Sequence, residues 1–230
     1  MNRKVLGFGD VERSSANVER QVTTDPATGE PYKRIKRTME SISGRVRQEA
    51  GSLDRSEVNA FFAEIIATHE DRHRIFVLGA GRSGLVASAF AMRLMHLGFD
   101  VYVFGEVVTP AVKANDLVIA VSGTGETGPV NETAKIAKHH GARIAVVTSN
   151  AGSSLGKIAT NTVIIRGRTE ADETSFLERQ VTGVSISLTP LGTLFEINVM
   201  VFLDSVIAGL IAALEKKEEE IAERHSDLRV

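Results

Sequence analysis

Leu117-Val118-Ile119-Ala120-Val121-Ser122-Gly123-Thr124-Gly125-Glu126-Thr127-Gly128 runs from an apolar strand into a loop of glycines and hydroxyls, and a helical pattern follows it. The same grammar occurs twice more. Ile75-Phe76-Val77-Leu78 leads into Gly79-Ala80-Gly81-Arg82-Ser83-Gly84, and Ile144-Ala145-Val146-Val147 leads into Thr148-Ser149-Asn150. In an open α/β sheet, ligands sit at the carboxyl ends of strands, where helix N-termini offer unpaired N–H groups and partial positive charge. Glycines admit a phosphate close to the backbone and hydroxyls add donors. Three such loops on successive strands point to a phosphorylated small molecule.

Outward from these loops the pattern alternates throughout the body, from Arg74 to about Arg168. Strands are expected near 74–79, 100–104, 116–122, 143–148 and 161–166, with helices at 82–97 and 128–140 ending at Gly98 and Gly141. Such alternation requires parallel strands joined by right-handed crossovers, so the fold class is α/β, a three-layer doubly wound sheet of five parallel strands. Before the sheet, Ile35, Met39, Ile42 and Val46 mark one face of a helix over 32–50. Asp54-Arg55-Ser56-Glu57 opens a second helix lined by Val58, Phe61, Phe62, Ile65 and Ile66. The organisation expected is a mobile extension over 1–30, a single domain over 31–214 and a charged tail over 215–230. A polar loop at 167–187 precedes a long helix at 191–214.

That last helix is apolar nearly all round, from Leu194 and Phe195 to Val206 and Ile207. Such a helix is buried on all sides, and the side not facing the sheet is expected to meet another subunit. Glu196, Asn198 and Asp204 are polar groups in apolar surroundings and need partners or a function.

Composition excludes several classes. The 230 residues are 43% apolar with a formal net charge of −2, so no global field favours nucleic acid or an anionic membrane. The absence of cysteine removes thiol chemistry, disulfides and Cys-ligated zinc. No signal-peptide core and no apolar run near the roughly 20 residues of a membrane helix is read, and the chain is expected to be soluble and cytoplasmic. Gly79-x-Gly81-x-x-Gly84, with Glu106 as the acidic partner, fits a dinucleotide fingerprint; yet a dinucleotide needs no further hydroxyl-rich loops, and Arg82-Ser83 puts a bulky cation in the turn. No Gly-Lys-Ser/Thr step exists for a P-loop. A phosphosugar sensor fused to a DNA-binding module is the other alternative, but residues 1–50 carry only ten Lys/Arg against seven Asp/Glu.

The segments Gly81-Arg82-Ser83-Gly84, Phe90 to Phe99, Gly105-Glu106-x-x-Thr109-Pro110, Ser122 to Thr127, Thr148-Ser149-Asn150, Pro190 to Glu196 and Arg224-His225 stand in one order. In that order they resemble sugar isomerase (SIS) domains, flavodoxin-like folds, and among them the 6-phospho-3-hexuloisomerases. The resemblance implies interconversion of D-arabino-3-hexulose 6-phosphate and fructose 6-phosphate, with no metal or redox cofactor, in a homo-oligomer that is a tetramer by the same likeness. The chain departs from the family at its first thirty-odd residues, and Thr124 stands where the family often has Ser.

The expected phosphate and substrate contacts are Arg82, Ser83, Ser122, Thr124, Thr127, Thr148 and Ser149. Ser122, Thr124 and Thr127 space their hydroxyls around one helix entrance, where a single tetrahedral anion can engage them together. Glu196 is the first choice for the base, because desolvation in an apolar helix should raise its pKa toward the useful range. Glu106 is the second. Glu126 is expected at a helix start, and His96 as a packed helix histidine. His225 resembles the terminal histidine that related isomerases place in a neighbouring subunit's site.

Overall fold

The computed structural model describes residues 30–167, 193–217 and 219–220. The chain divides into two units, 1–37 and 38–230, and the second holds the α/β body. Its helices are α1 (Pro31–Ala50, begun in the first unit), α2 (Arg55–Glu70), α3 (Gly81–His96), α4 (Gly128–His139), α5 (Ser154–Ile158) and α6 (Thr193–Ala213). Its strands are β1 (Ile75–Gly79), β2 (Val101–Val103), β3 (Leu117–Val121), β4 (Arg143–Thr148) and β5 (Asn161–Ile164). All pairings are parallel and the order is β2-β1-β3-β4-β5, the doubly wound arrangement expected.

Alternation within the strands builds the layers. Ile75, Val77, Leu117, Ile119 and Val121 face a core closed by Phe61 and Ile65 of α2, Phe90 and Leu94 of α3, and Val199, Phe202 and Leu203 of α6. Phe76, Leu78, Val118, Ala120, Ile144 and Val146 face the opposite side, under Val130, Ala134 and Ala137 of α4 and Leu155 of α5. β3 is buried at every residue, which explains its unbroken apolar run. The short α5 is an element the sequence did not declare.

Asp54 caps α2 by accepting from the N–H of Ser56 at 2.8 Å and of Glu57 at 3.0 Å. Glu57 does not complete a capping box. Its carboxylate accepts the Ile164 N–H at 2.9 Å, and Glu49 of α1 accepts the Arg166 N–H at 2.7 Å. Two helix carboxylates thus occupy the outward N–H groups of edge strand β5 and its extension, closing a sheet edge that would otherwise template pairing.

Two expectations about helix faces change. Within α1, Met39 is exposed and Ile42 and Val46 are half-buried, because the body covers only the C-terminal part of that stripe. α6 is not covered all round within the chain: Val201 is 43% exposed and Asp204 and Ser205 are exposed, while Leu194, Val199 and Leu210 are buried. At 21 residues α6 is also long and apolar enough to cross a membrane by length and composition, contrary to the expectation above; half of its most apolar 18-residue stretch is buried within this fold.

Candidate functional site

The order β2-β1-β3 places the switch point between β1 and β3, where successive crossovers leave in opposite directions and open a crevice at the strand ends. A cavity of about 520 Å³ lies there. The β1–α3 turn forms one wall with Ala80 and Ser83. It can do so because Gly79 and Gly84 touch: a Cβ on Gly79 would lie 2.8 Å from the Gly84 nitrogen.

The β3–α4 loop supplies Ser122, Gly123, Thr124 and Thr127. Ser122 Oγ and Thr127 Oγ1 are 3.1 Å apart, and Ser122 Oγ accepts the Gly125 N–H at 3.2 Å. Thr124 Oγ1 accepts the Glu126 N–H at 3.2 Å. Thr127 stands at the N-cap of α4 without making a side-chain cap bond, and Pro129 follows in the first turn. The first N–H groups of α4 have no intrahelical acceptors, so helix start and hydroxyls together form an anion cradle.

The underside of this loop is fastened at the Gly123 and Gly125 carbonyls. Gly123 O accepts from Ser149 N at 3.0 Å, Thr148 Oγ1 at 3.2 Å and Ser149 Oγ at 2.5 Å. Gly125 O accepts from Leu155 N at 3.1 Å and from the buried Asn131 Nδ2 at 3.2 Å. Glu126 extends to the start of α5 rather than α4, accepting the Ser154 N–H at 2.8 Å. Hydrogen bonding by the Ser154 side chain, with this backbone N–H bond, holds the Glu126 carboxyl below its ordinary pKa.

Phe195 and Glu196 of α6, with Gly167 beyond β5, complete the lining of the cavity. Phe195 is the wedge. Its ring edge lies 3.2 Å from where a Cβ on Gly123 would stand, and its backbone packs on Gly167. Behind it, Asn198 Nδ2 donates to Arg166 O at 2.8 Å, so Glu49 and Asn198 hold both backbone groups of Arg166.

The structure therefore brings Ser83, Ser122, Thr124, Thr127, Ser149 and Glu196 to one cavity. It does not bring Thr148 there. Thr148 is fully buried and its hydroxyl fastens the loop from below, because its strand-end position points it into the layer beneath. Ser149 lines the cavity, but its hydroxyl is also engaged with Gly123 O. Glu106 is exposed on the turn after β2 and does not line the cavity. Arg82 stands at the rim, its Nε 3.5 Å from Glu196 Oε2. Glu196 is thus not the isolated carboxylate the apolar helix promised, since a guanidinium stands beside it. His225 and Pro190-Leu191-Gly192 lie outside the described residues.

Asn150, Gly167, Phe195 and Asn131 were not chosen from the sequence. Asn150 and Phe195 stood beside chosen residues, but nothing local marked Gly167 or Asn131, which act through contacts distant along the chain. Among the described residues, no cluster of three or more His, Asp or Glu side chains is placed to hold a metal ion.

The sequence profile of the SIS domain matches residues 70–189. An uncharacterized protein of Aeropyrum pernix is 40% identical over 84% of this chain and 92% of its own. The 3-hexulose-6-phosphate isomerase of Mycobacterium gastri is 37% identical over 84% of this chain and 91% of its own. Among solved structures, a Methanococcus jannaschii protein with an inferred function of 3-hexulose-6-phosphate isomerase is 31% identical. It covers 83% of this chain and 98% of its own, with a TM-score of 0.67. The strand order, the anion cradle at its switch point and these likenesses agree: the chain belongs to the SIS-domain family.

Proposed function

We propose that this protein is a phosphosugar isomerase that interconverts D-arabino-3-hexulose 6-phosphate and fructose 6-phosphate. The observation that carries the reading is one cavity lined both by an anion cradle of Ser122, Thr124 and Thr127 and by Glu196. Relatives named for this reaction, matched over most of both chains, supply the substrate class.

The chemistry follows from the substrate. Moving a carbonyl from C3 to C2 removes a proton from C2, passes through a cis-enediolate and delivers a proton to C3. In the 3-ketose, the hydroxyl that would close a five-membered ring is O6, which carries the phosphate, so that sugar is open-chain. The protein must then anchor the phosphate, supply one general base and stabilise charge on two adjacent oxygens. Ser83, Ser122, Thr124 and Thr127 anchor. Glu196 takes the proton at C2 and returns it at C3.

The assembly that fits this reading is a homotetramer in which His225 of a neighbouring copy joins the site. Exposed Leu85, Met92 and Met95 along α3, with Val201 on α6, support an interface between copies. Light scattering gives the mass, and mixing Glu196→Gln with His225→Ala subunits tests the shared site by recovery of activity. The activity itself is tested by coupling the purified chain to a hexulose-phosphate synthase with formaldehyde and ribulose 5-phosphate. Fructose 6-phosphate is the expected product, and its absence with folded protein refutes the assignment.

A further inference from the structure

The two charged side chains at this cavity are paired with each other, and they are unlike in exposure. Glu196 is 13% exposed at its side chain and Arg82 59%, with Nε and Oε2 3.5 Å apart. Glu196 Oε2 is sealed from solvent yet receives no hydrogen bond, so the guanidinium is a charge neighbour and not a fixed donor. Arg82 directly precedes Ser83, which lines the cavity, and follows Gly81, whose φ is +56°. The guanidinium sits on an exposed stem, beside the carboxylate and one residue from the cavity-lining Ser83.

A phosphate entering the cavity changes the balance. It carries up to two negative charges and offers several oxygens, against one charge on Glu196, and a guanidinium binds such an anion with short, paired hydrogen bonds. The polar side chains that α3 and the β3–α4 loop bring to the cavity, Ser83, Ser122, Thr124 and Thr127, are hydroxyls, and the next acid on α6, Asp204, is exposed. We propose that Arg82 exchanges partners during turnover: it neutralises Glu196 in the empty site and passes to the substrate phosphate on binding. Glu196 is then a carboxylate beside Phe195 without its counter-charge, released to take the substrate proton only when substrate is present. In the empty site the pair spares the fold a lone buried charge.

This inference rests on the reading of the cavity as a sugar-phosphate isomerase centre, and a binding cycle separates the two. Inorganic phosphate and fructose 6-phosphate are titrated by calorimetry into the full chain, Arg82→Gln, Glu196→Gln and the double variant, each checked for thermal unfolding. Partner exchange predicts that Glu196→Gln tightens phosphate more with Arg82 present than in the Arg82→Gln background, by about tenfold, because only then is the guanidinium released from a competitor. A static pair predicts an equal or larger gain without Arg82, since only repulsion is relieved. An equal or larger gain overturns the exchange. Arg82→Met, which keeps the stem, repeats the cycle if Arg82→Gln folds poorly. Turnover with the wrong coupling sinks the exchange and leaves the isomerase reading. The expected coupling without turnover does the reverse, and absence of phosphate binding by the unmodified chain overturns both.

Discussion

Replacing Gly125 by alanine tests whether the anion cradle is held as rigidly as its fastenings indicate. Gly125 has φ +67°, and a Cβ there would stand 2.0 Å from Ser153 Oγ, 2.5 Å from Ser153 Cβ and 3.2 Å from Thr148 Oγ1. Ser153 cannot simply swing away: it is 1% exposed and caps α5 by accepting the Gly156 N–H at 3.1 Å. The left-handed backbone costs an L-residue about 1–2 kcal/mol. Displacing the cap costs about 1 kcal/mol and overpacking about 1–3 kcal/mol. The sum is about 3–6 kcal/mol. Two other glycines calibrate it. Gly81 shares the positive φ with nothing within 4 Å, so Gly81→Ala should lose only the backbone portion, about 1–2 kcal/mol. Gly128 has neither clash nor positive φ, so Gly128→Ala should stay within about 1 kcal/mol of the parent. The chain has no tryptophan, so urea unfolding is followed by far-UV circular dichroism at one fixed protein concentration. If Gly125→Ala loses no more than Gly81→Ala, the loop yields to the methyl and the argument for a rigid cradle is wrong.

Ser122→Ala removes a phosphate contact present in ground and transition states alike, so KM for the sugar phosphate should rise about ten- to a hundredfold with kcat little changed; steady-state kinetics read both. Glu196→Gln keeps the size of the side chain but cannot take a proton, and kcat should fall by about 10²–10⁴ while calorimetry still detects fructose 6-phosphate binding. For Glu126, the Ser154 hydrogen bonds lower the folded pKa below the ordinary 4.5, so its stabilisation is present above that value and is lost as pH falls through the folded pKa. Glu126→Gln should therefore lower the thermal midpoint near pH 7 and converge with the parent in acid; a constant difference at every pH would show that the carboxylate charge is not what fastens the loop.

Much of the fold is local, and so was readable. β3 is buried on both faces and is written as an unbroken apolar run, and the loop from Ser122 to Thr127 follows it because a strand end and a helix start must meet there. Where a helix or strand answers to distant partners, the reading failed. Spacing puts Met39 on the apolar face of its helix, yet Met39 is exposed, because spacing cannot say how far along a helix the covering layer extends. Glu57 carried a capping signal and was drawn instead to the Ile164 N–H on the sheet edge.

By itself the sequence determined the parallel α/β sheet, the three hydroxyl-rich strand ends and the chemical types available to the site. Periodicity and turn chemistry are properties of neighbours along the chain. Only the tertiary structure decided which of those hydroxyls reach a ligand. Thr148 and Ser149 are adjacent with the same functional group, yet alternation at the end of β4 sends one beneath the loop and the other to the cavity wall. Only packing, too, set Arg82 against Glu196, 114 residues apart in sequence and 3.5 Å apart in space, where each alters the charge environment of the other. A side chain's reactivity depends on what surrounds it, and in this site those surroundings come from α3, the β3–α4 loop and α6 meeting at one sheet end.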